Sequence, residues 1–434
     1  MSDVAQTQRP AAPPAGAAGP RIGHRWTIVA LLFFATTISY VDRQVLGILA
    51  PTLQSELHWS ETDYAAIVSW FSFAYGFSLL FAGRVMDWLG SRRGFTLSIV
   101  VWSLAAMGHA LARTVAGFSI ARAALGIGES GNFPGANKTI AEWFPKKERA
   151  LAVGIFNAGS NVGAIITPLM VPWLVLTWGW PSAFLVTGAI GFLWLVCWLL
   201  LYHEPGQHPR ISPQELALIR SDPADAAEAM SWLSLFRHRQ TWAFFIGKAM
   251  TDPVWLFYLF WLPKFLDADF GVKLTALAAP LVVIYLVADV GSIGGGWVSS
   301  ALIKHGWSVN RGRKTAMLIA AILIVPTMFA PQANSLWLAV GMVSVAAAAH
   351  QWWSCNLFTT VSDMFPRRAV ASVTGIGGFG GMMAAMGFQR ATGHLLETSG
   401  GNYQLVFNFL GLAYLAALLI IHILVPRLEP ASVS

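Results

Sequence analysis

Four charged side chains stand inside long apolar runs: Asp42, Arg43, Arg122 and Glu129. In a helix crossing a bilayer each costs at least about 2.5 to 3.5 kcal/mol near the centre, so such residues mark function by default. A guanidinium offers a planar fork that matches a carboxylate, which makes Arg43 the expected holder of an anionic ligand. Its neighbour Asp42 points about 100° away on a helix and cannot face the same partner; its expected partner is Arg122. Glu129 lies seven residues after Arg122, on nearly the same face and about 10 Å further along. Set among Gly126, Gly128 and Gly131 in an apolar segment, it is the expected proton carrier, with Asp42 as the second coupling acid. The same four residues also fit structural ion pairs that hold two helices together.

The runs that carry these charges dominate the chain. Hydrophobic residues fill 56% of 434 positions and charged ones 11%, against roughly 25% charge in a typical soluble domain, and mean hydropathy is +0.57. Apolar blocks of about 20 residues recur, the length a helix needs to cross a core about 30 Å thick. A net charge of +7 and a pI near 9.6 do not imply nucleic acid, because the Lys and Arg lie in short loops between apolar spans rather than on a basic face. Cys197 and Cys355, the two cysteines, both sit in apolar segments and read as packing residues, so no disulfide framework, metal cluster or cofactor is expected.

Spans are expected near Trp26 to Ala50, Tyr64 to Gly83, Gly94 to Ala112, Val115 to Lys138, Arg149 to Val171 and Trp180 to Tyr202. A second set runs near Thr241 to Phe265, Leu274 to Ala301, Lys314 to Ala330, Ser335 to Ser362, Val370 to Leu396 and Tyr403 to Val425. Most of the 28 Lys and Arg fall on the side of the amino terminus, and only Arg113, Lys264 and Lys273 on the other. Positive residues favour the cytoplasm, which puts both termini there.

The stretch from His203 to Gln240 turns sharply polar, with Glu204, Arg210, Glu215, Arg220, Asp222, Asp225, Glu228, Arg237 and Arg239. On either side of it a pattern repeats at one constant offset: Phe144-Pro145-Lys146-Lys147, Ala150, Gly154, Ile155 and Gly159 match Phe365-Pro366-Arg367-Arg368, Ala371, Gly375, Ile376 and Gly380. Parallel repeats of this kind build carriers that alternate access around a site at the repeat interface. The expected organisation is a disordered tail over 1–25, a six-helix bundle over 26–203, a cytoplasmic linker over 204–240, a second bundle over 241–425 and a short tail over 426–434. The fold class is all-α: a polytopic membrane protein with twelve transmembrane helices in two pseudo-symmetric bundles.

Other polar groups within spans are candidates to read a ligand: Tyr40 and Tyr75, Asn157 and Asn161 one turn apart, and His350, Gln351, Trp353 and Asn356 with Trp352 beside them. A lone Tyr or Asn in a span also serves as an interhelical hydrogen bond, and His350 also fits a core histidine. Asp252-Pro253 interrupts the seventh span and Asp289 sits in the eighth; Lys248, four residues before Asp252, is placed for a local structural pair. Gly126 to Gly131 and Gly375 to Gly380 match G-x-G-x-x-G, but neither follows a strand, so they read as helix-packing glycines.

The loop after the second span, Gly83-Arg84-Val85-Met86-Asp87-Trp88-Leu89-Gly90-Ser91-Arg92-Arg93, resembles the cytoplasmic signature of the major facilitator superfamily. Gly83 and Gly90 permit close approach, while Asp87, Arg92 and Arg93 can exchange partners across a cytoplasmic gate. After the eighth span Gly294 to Gly296, Lys304, Arg311, Arg313 and Lys314 follow with no acid in the matching place, so the second half-gate is expected to be weaker. Ile38 to Arg43, Ala121-Arg122 through Gly128-Glu129, and Glu142 to Pro145 are similar to the anion:cation symporters, and Asp252 to Trp255 with His350-Gln351 resemble their hexuronate branch.

That resemblance, from about Trp26 to Val425, implies proton-coupled uptake of a sugar acid such as glucuronate or galacturonate across a bacterial inner membrane. The implied partners are a small carboxylate, protons and lipid, with the chain acting as a monomer. The Gly-Pro-x-x-Gly-Gly pattern of drug exporters is missing from the fifth span, where Gly159 to Pro168 stands instead. The alternatives are a symporter of another organic or aromatic carboxylate, a non-transporting sensor, and a membrane-embedded enzyme using Glu129 and His350; no nucleophile with its base is visible for the last.

Overall fold

The computed structural model describes residues 23–221 and 232–431. Most of the amino-terminal tail, the linker residues Asp222, Asp225 and Glu228, and the last three residues lie outside that range. So do the side chains of the repeated pairs Lys146-Lys147 and Arg367-Arg368 and of Ala150 and Ala371. No strand occurs among the described residues.

In the first bundle, α1 is His24–Leu57, α2 Glu61–Gly108, α3 Val115–Glu129, α4 Asn132–Trp143, α5 Lys146–Trp178 and α6 Trp180–Leu201. Two short helices, α7 (Pro213–Ile219) and α8 (Trp232–Leu235), lie in the polar stretch. The second bundle holds α9 (Arg239–Phe260), α10 (Leu262–Phe270), α11 (Ala278–Lys304), α12 (Val309–Ile324), α13 (Leu336–Met364), α14 (Arg367–Thr398) and α15 (Gln404–Leu424).

Local chemistry explains the starts and breaks. Ser60 and Asp63 form a reciprocal capping box that opens α2. This helix is two spans in one, divided at Gly90, whose φ of 74° only glycine adopts without strain. The expected fourth span is broken between α3 and α4, because Pro134 has no N–H for the Ser130 carbonyl one turn back. Pro263 likewise separates α10 from α9. Counting α2 as two and joining α3–α4, α9–α10 and α12 with its 3-10 extension Val325–Gln332 gives twelve crossings. Apart from those of α3–α4, α9–α10, α13 and α14, the crossings are long and apolar enough to span a bilayer by composition alone. Three of those four carry Arg122, Glu129, Lys248, His350 and Asn356, whose cost is met by burial inside the bundles.

Within the bundles α1 packs on α5, α2 on α3, and α11 on α13; α14 packs on both α2 and α9 and so joins the halves. Close approach depends on glycine where backbone meets backbone. A Cβ on Gly128 would lie 2.6 Å from the Trp102 amide nitrogen, and one on Gly163 would lie 2.6 Å from the Thr37 carbonyl. On the side of the termini, Arg25 bonds Glu148 at 3.1 Å and Glu215 at 3.3 Å, tying α1 to α5 and α7.

Every hydrogen bond and ion pair that joins the bundles among the described residues lies toward the end away from the termini. Lys264 pairs with Glu61, Tyr64 donates to the Phe260 carbonyl and the Thr62 amide donates to Glu397 at 3.0 Å. Gln389 and Arg390 donate to Ser72 and Ser69 at 3.1 and 2.7 Å, and Gln44 donates to Tyr285 at 2.7 Å. The break at Pro263 creates part of this contact, since Gly47 of α1 packs against the Leu259 backbone just before it. At the other end Asp87 is 73% exposed, and Gly83, Gly90, Gly154 and Gly375 have no neighbour where a Cβ would stand. The bundles are joined at one end and parted at the other.

Candidate functional site

The centre of the first bundle is built around Arg43. Helix α1 carries it into a box of rings, its guanidinium carbon 4.7 Å from the centre of Tyr40, 5.0 Å from Phe71 and 5.1 Å from Tyr75. Aromatic faces stabilise a desolvated cation by about 2 kcal/mol or more, and Arg43 is 4% exposed. Glu129, fully buried at the end of α3, accepts from Arg43 Nε at 3.0 Å and Nη2 at 2.7 Å. These are short, charge-assisted bonds.

Arg122 lies alongside but pairs differently. Its Nη2 donates to the carbonyl of Arg43 at 3.0 Å, and its guanidinium carbon is 5.1 Å from both Phe71 and Phe260. Arg122 Nε and Nη1 have no hydrogen-bond partner among the described residues, and neither do the two carboxylate oxygens of Asp42. The expected Asp42–Arg122 pair is therefore not formed. Asp42 stays buried on α1, whereas Arg122 meets α1 at the backbone. Glu129, read from the sequence as a separate proton carrier, is the bonded partner of Arg43.

The sequence reading missed three polar neighbours of this centre. Asn132 Nδ2 donates to Thr36 at 3.1 Å, and Ser39 Oγ, Asn132 Oδ1 and Glu129 Oε1 are buried without a hydrogen-bond partner among the described residues. The signal was Pro134, whose break starts a new helix at Asn132 just past Glu129. Asn157, exposed, and Asn161, partly buried, lie on α5 away from its α1 contact; that contact is made by Gly159 and Gly163.

In the second bundle the candidates hold one another. His350 Nδ1 shares a hydrogen bond with the Tyr414 hydroxyl, and the imidazole stacks on Trp255 at 5.1 Å with planes 8° apart. Asn356 donates to the carbonyls of Gly295 and Trp352 at 3.1 and 3.0 Å, leaving Oδ1 free. Trp353 is buried edge-on to Tyr414 at 5.3 Å, and Gln351 is partly buried. Lys248 and Asp252 form the one-turn pair, 2.8 Å apart.

At the parted end, Asp87 bonds Lys138 at 2.9 Å, Arg92 donates to the Leu199 carbonyl at 2.6 Å and Arg93 is exposed. Each partner is in the same bundle. Glu142 accepts from Ser91 and Tyr202, both at 2.8 Å. In the second half Arg313 bonds Asp363 at 3.1 Å, while the loop after the eighth span itself holds no acid. Asp363 is the repeat counterpart of Glu142, contributed by α13, so it lay outside the loop in which an acid was sought.

The chain is similar to known proteins over most of its length. The model of the Major Facilitator Superfamily matches residues 32–388. The hexuronate transporter of Escherichia coli (strain K12) is 33% identical over 386 residues, covering 87% of this chain and 89% of that one. The galacturonate transporter of Dickeya chrysanthemi is 34% identical over 310 residues, 70% and 90% of the two chains. Among solved structures, a bacterial homologue of the human lysosomal transporter Spinster superposes with a TM-score of 0.70 at 19% identity, over 94% of this chain and 96% of that one. By the extent of these matches, and by its two six-helix bundles, the chain belongs to the Major Facilitator Superfamily.

Proposed function

We propose that the protein carries a hexuronate or a closely related sugar acid into the cell together with protons, by alternating access across a bacterial inner membrane. The family and the named relatives are transporters, which removes support from the enzymatic reading. The distribution of Lys and Arg supports cytoplasmic termini; on that reading the bundles are joined on the outside and parted on the inside. Both bundles belong to one chain, which supports a monomer as the working unit.

The observation that carries the reading is the Arg43–Glu129 pair. Arg43 gives Nε and Nη2 to Glu129, so the same edge of the guanidinium cannot hold a substrate carboxylate. A proton on Glu129 removes the charge to which Arg43 is bonded and frees that edge for the substrate anion. When the proton leaves toward the cytoplasm, Glu129 reclaims Arg43 and the substrate is displaced. Proton and substrate therefore bind together and leave together, which is the linkage a symporter requires. Arg122 keeps the site positive throughout, and Asp42, buried without a cation bonded to it, is the candidate second proton site. Tyr40 and Tyr75, whose rings flank the Arg43 guanidinium, are the candidates to meet the sugar.

The test is uptake of labelled glucuronate and galacturonate into proteoliposomes, with and without an inward proton gradient, against simple aromatic acids as competitors. Accumulation that depends on the gradient supports the reading. Gradient-driven uptake of an aromatic acid alone would keep the mechanism and discard the sugar acid, and no flux of any acid would reopen the sensor alternative.

A further inference from the structure

We infer that Lys248 and Asp252 form a hydroxyl-reading subsite in the second bundle, one that takes a diol of the sugar while the first bundle holds the carboxylate. The inference rests on the sugar-acid reading above.

Two other polar candidates of this bundle are engaged within it: His350 with Tyr414 of α15, and the Asn356 amide with carbonyls of α11 and α13. Lys248 and Asp252 are not used up in this way. The Lys248 ammonium has three hydrogens and the Asp252 carboxylate about four acceptor positions, yet the bond the structure gives them is the one to each other, Nζ to Oδ1 at 2.8 Å. Beyond it Lys248 has the face of Phe358, 4.5 Å away. The two side chains keep 11% and 12% of their surface open. A charge pair this deep in a span, with few supporting bonds, gives little net stability.

The surroundings are built to admit the pair. Gly377 and Gly381 of α14, one turn apart, face it: a Cβ on Gly377 would lie 3.3 Å from Lys248 Cγ, and one on Gly381 would lie 2.8 Å from Asp252 Cγ and closer still to Oδ2. The next residue, Met382, meets Gly76 of α2, with Met382 Cβ 2.6 Å from the position of a Gly76 Cβ. Gly76 follows Tyr75, a wall of the Arg43 box. The pair thus stands at the depth of Arg43, on the opposite bundle. An ammonium donor beside a carboxylate acceptor complements adjacent sugar hydroxyls, each of which can accept from one and donate to the other.

The experiment is calorimetric titration of the full chain with galacturonate and with tetrahydropyran-2-carboxylate, a ring acid without the hydroxyls. The variants are Lys248→Met, Asp252→Asn and the double variant. The double variant leaves no unpaired charge and keeps the test valid where a single variant folds poorly. We expect wild type to prefer galacturonate and the double variant to lose about tenfold or more of that preference, with the hydroxyl-free acid bound within about twofold of wild type. An unchanged preference in the double variant, or equal losses for both acids, would overturn the subsite. A wild type that binds neither acid would instead overturn the proposed function.

Discussion

Lys264→Met should open the outer end of the protein. The ammonium of Lys264 is held by Glu61 of the other bundle, with the faces of Tyr64 and Trp261 at 5.1 and 5.2 Å. Lys264 is 6% exposed and Glu61 29%, so the pair lies between a surface bridge, worth about 0–1 kcal/mol, and a fully buried one, whose breakage costs about 3–5 kcal/mol. Methionine keeps most of the apolar stem, which confines the loss to the charge and sets it at about 1–2 kcal/mol. The contact exists only while the outer ends are joined, so the whole loss falls on that state. At 1.4 kcal/mol per factor of ten, its population relative to the outward-open state should fall about five- to thirtyfold. Spin labels on the outer ends of α2 and α14, in a background with Cys197 and Cys355 replaced, would read this as growth of a longer-distance population. An unchanged distance distribution would refute the claim that this pair latches the outside.

Three further outcomes follow from the geometry. Arg43→Ala and Arg122→Ala should each abolish uptake in proteoliposomes, whereas Arg43→Lys should retain a small fraction, since a point charge replaces the fork. Glu129→Gln should bind substrate and exchange it across the membrane but fail to accumulate it on a proton gradient; accumulation equal to wild type would remove Glu129 from the coupling. Gly128→Ala should lower thermal stability in detergent by an amount equivalent to about 1–3 kcal/mol, because its Cβ would meet the Trp102 backbone at 2.6–2.9 Å. An unchanged melting temperature would show that α2 and α3 can part at no cost.

Most of the twelve crossings were legible because lipid imposes one simple rule, an apolar helix of about 20 residues; α3–α4, α9–α10, α13 and α14 depart from it. Breaks were less legible. Pro134 and Pro263 sit in runs whose composition alone reads as continuous helix, although each proline carried the warning. Charge in the apolar runs identified Arg43, Arg122 and Glu129 as a group, but not their pairing. Helical spacing orders residues along one helix; it does not say which of two arginines reaches across to a glutamate on another. The Arg313–Asp363 bond was hidden for the same reason, since its acid comes from α13 and only the repeat relation to Glu142 points to it. The engagement of His350 by Tyr414 depends on α15, some sixty residues away in the chain.

The central claim is that one buried pair, Arg43 with Glu129, links substrate to proton. It is tested most directly by recording the internal pH of proteoliposomes when galacturonate is added outside with no proton gradient imposed. The account predicts acidification of the interior in wild type and none in Glu129→Gln; substrate entry into wild-type vesicles with the internal pH unmoved would contradict it.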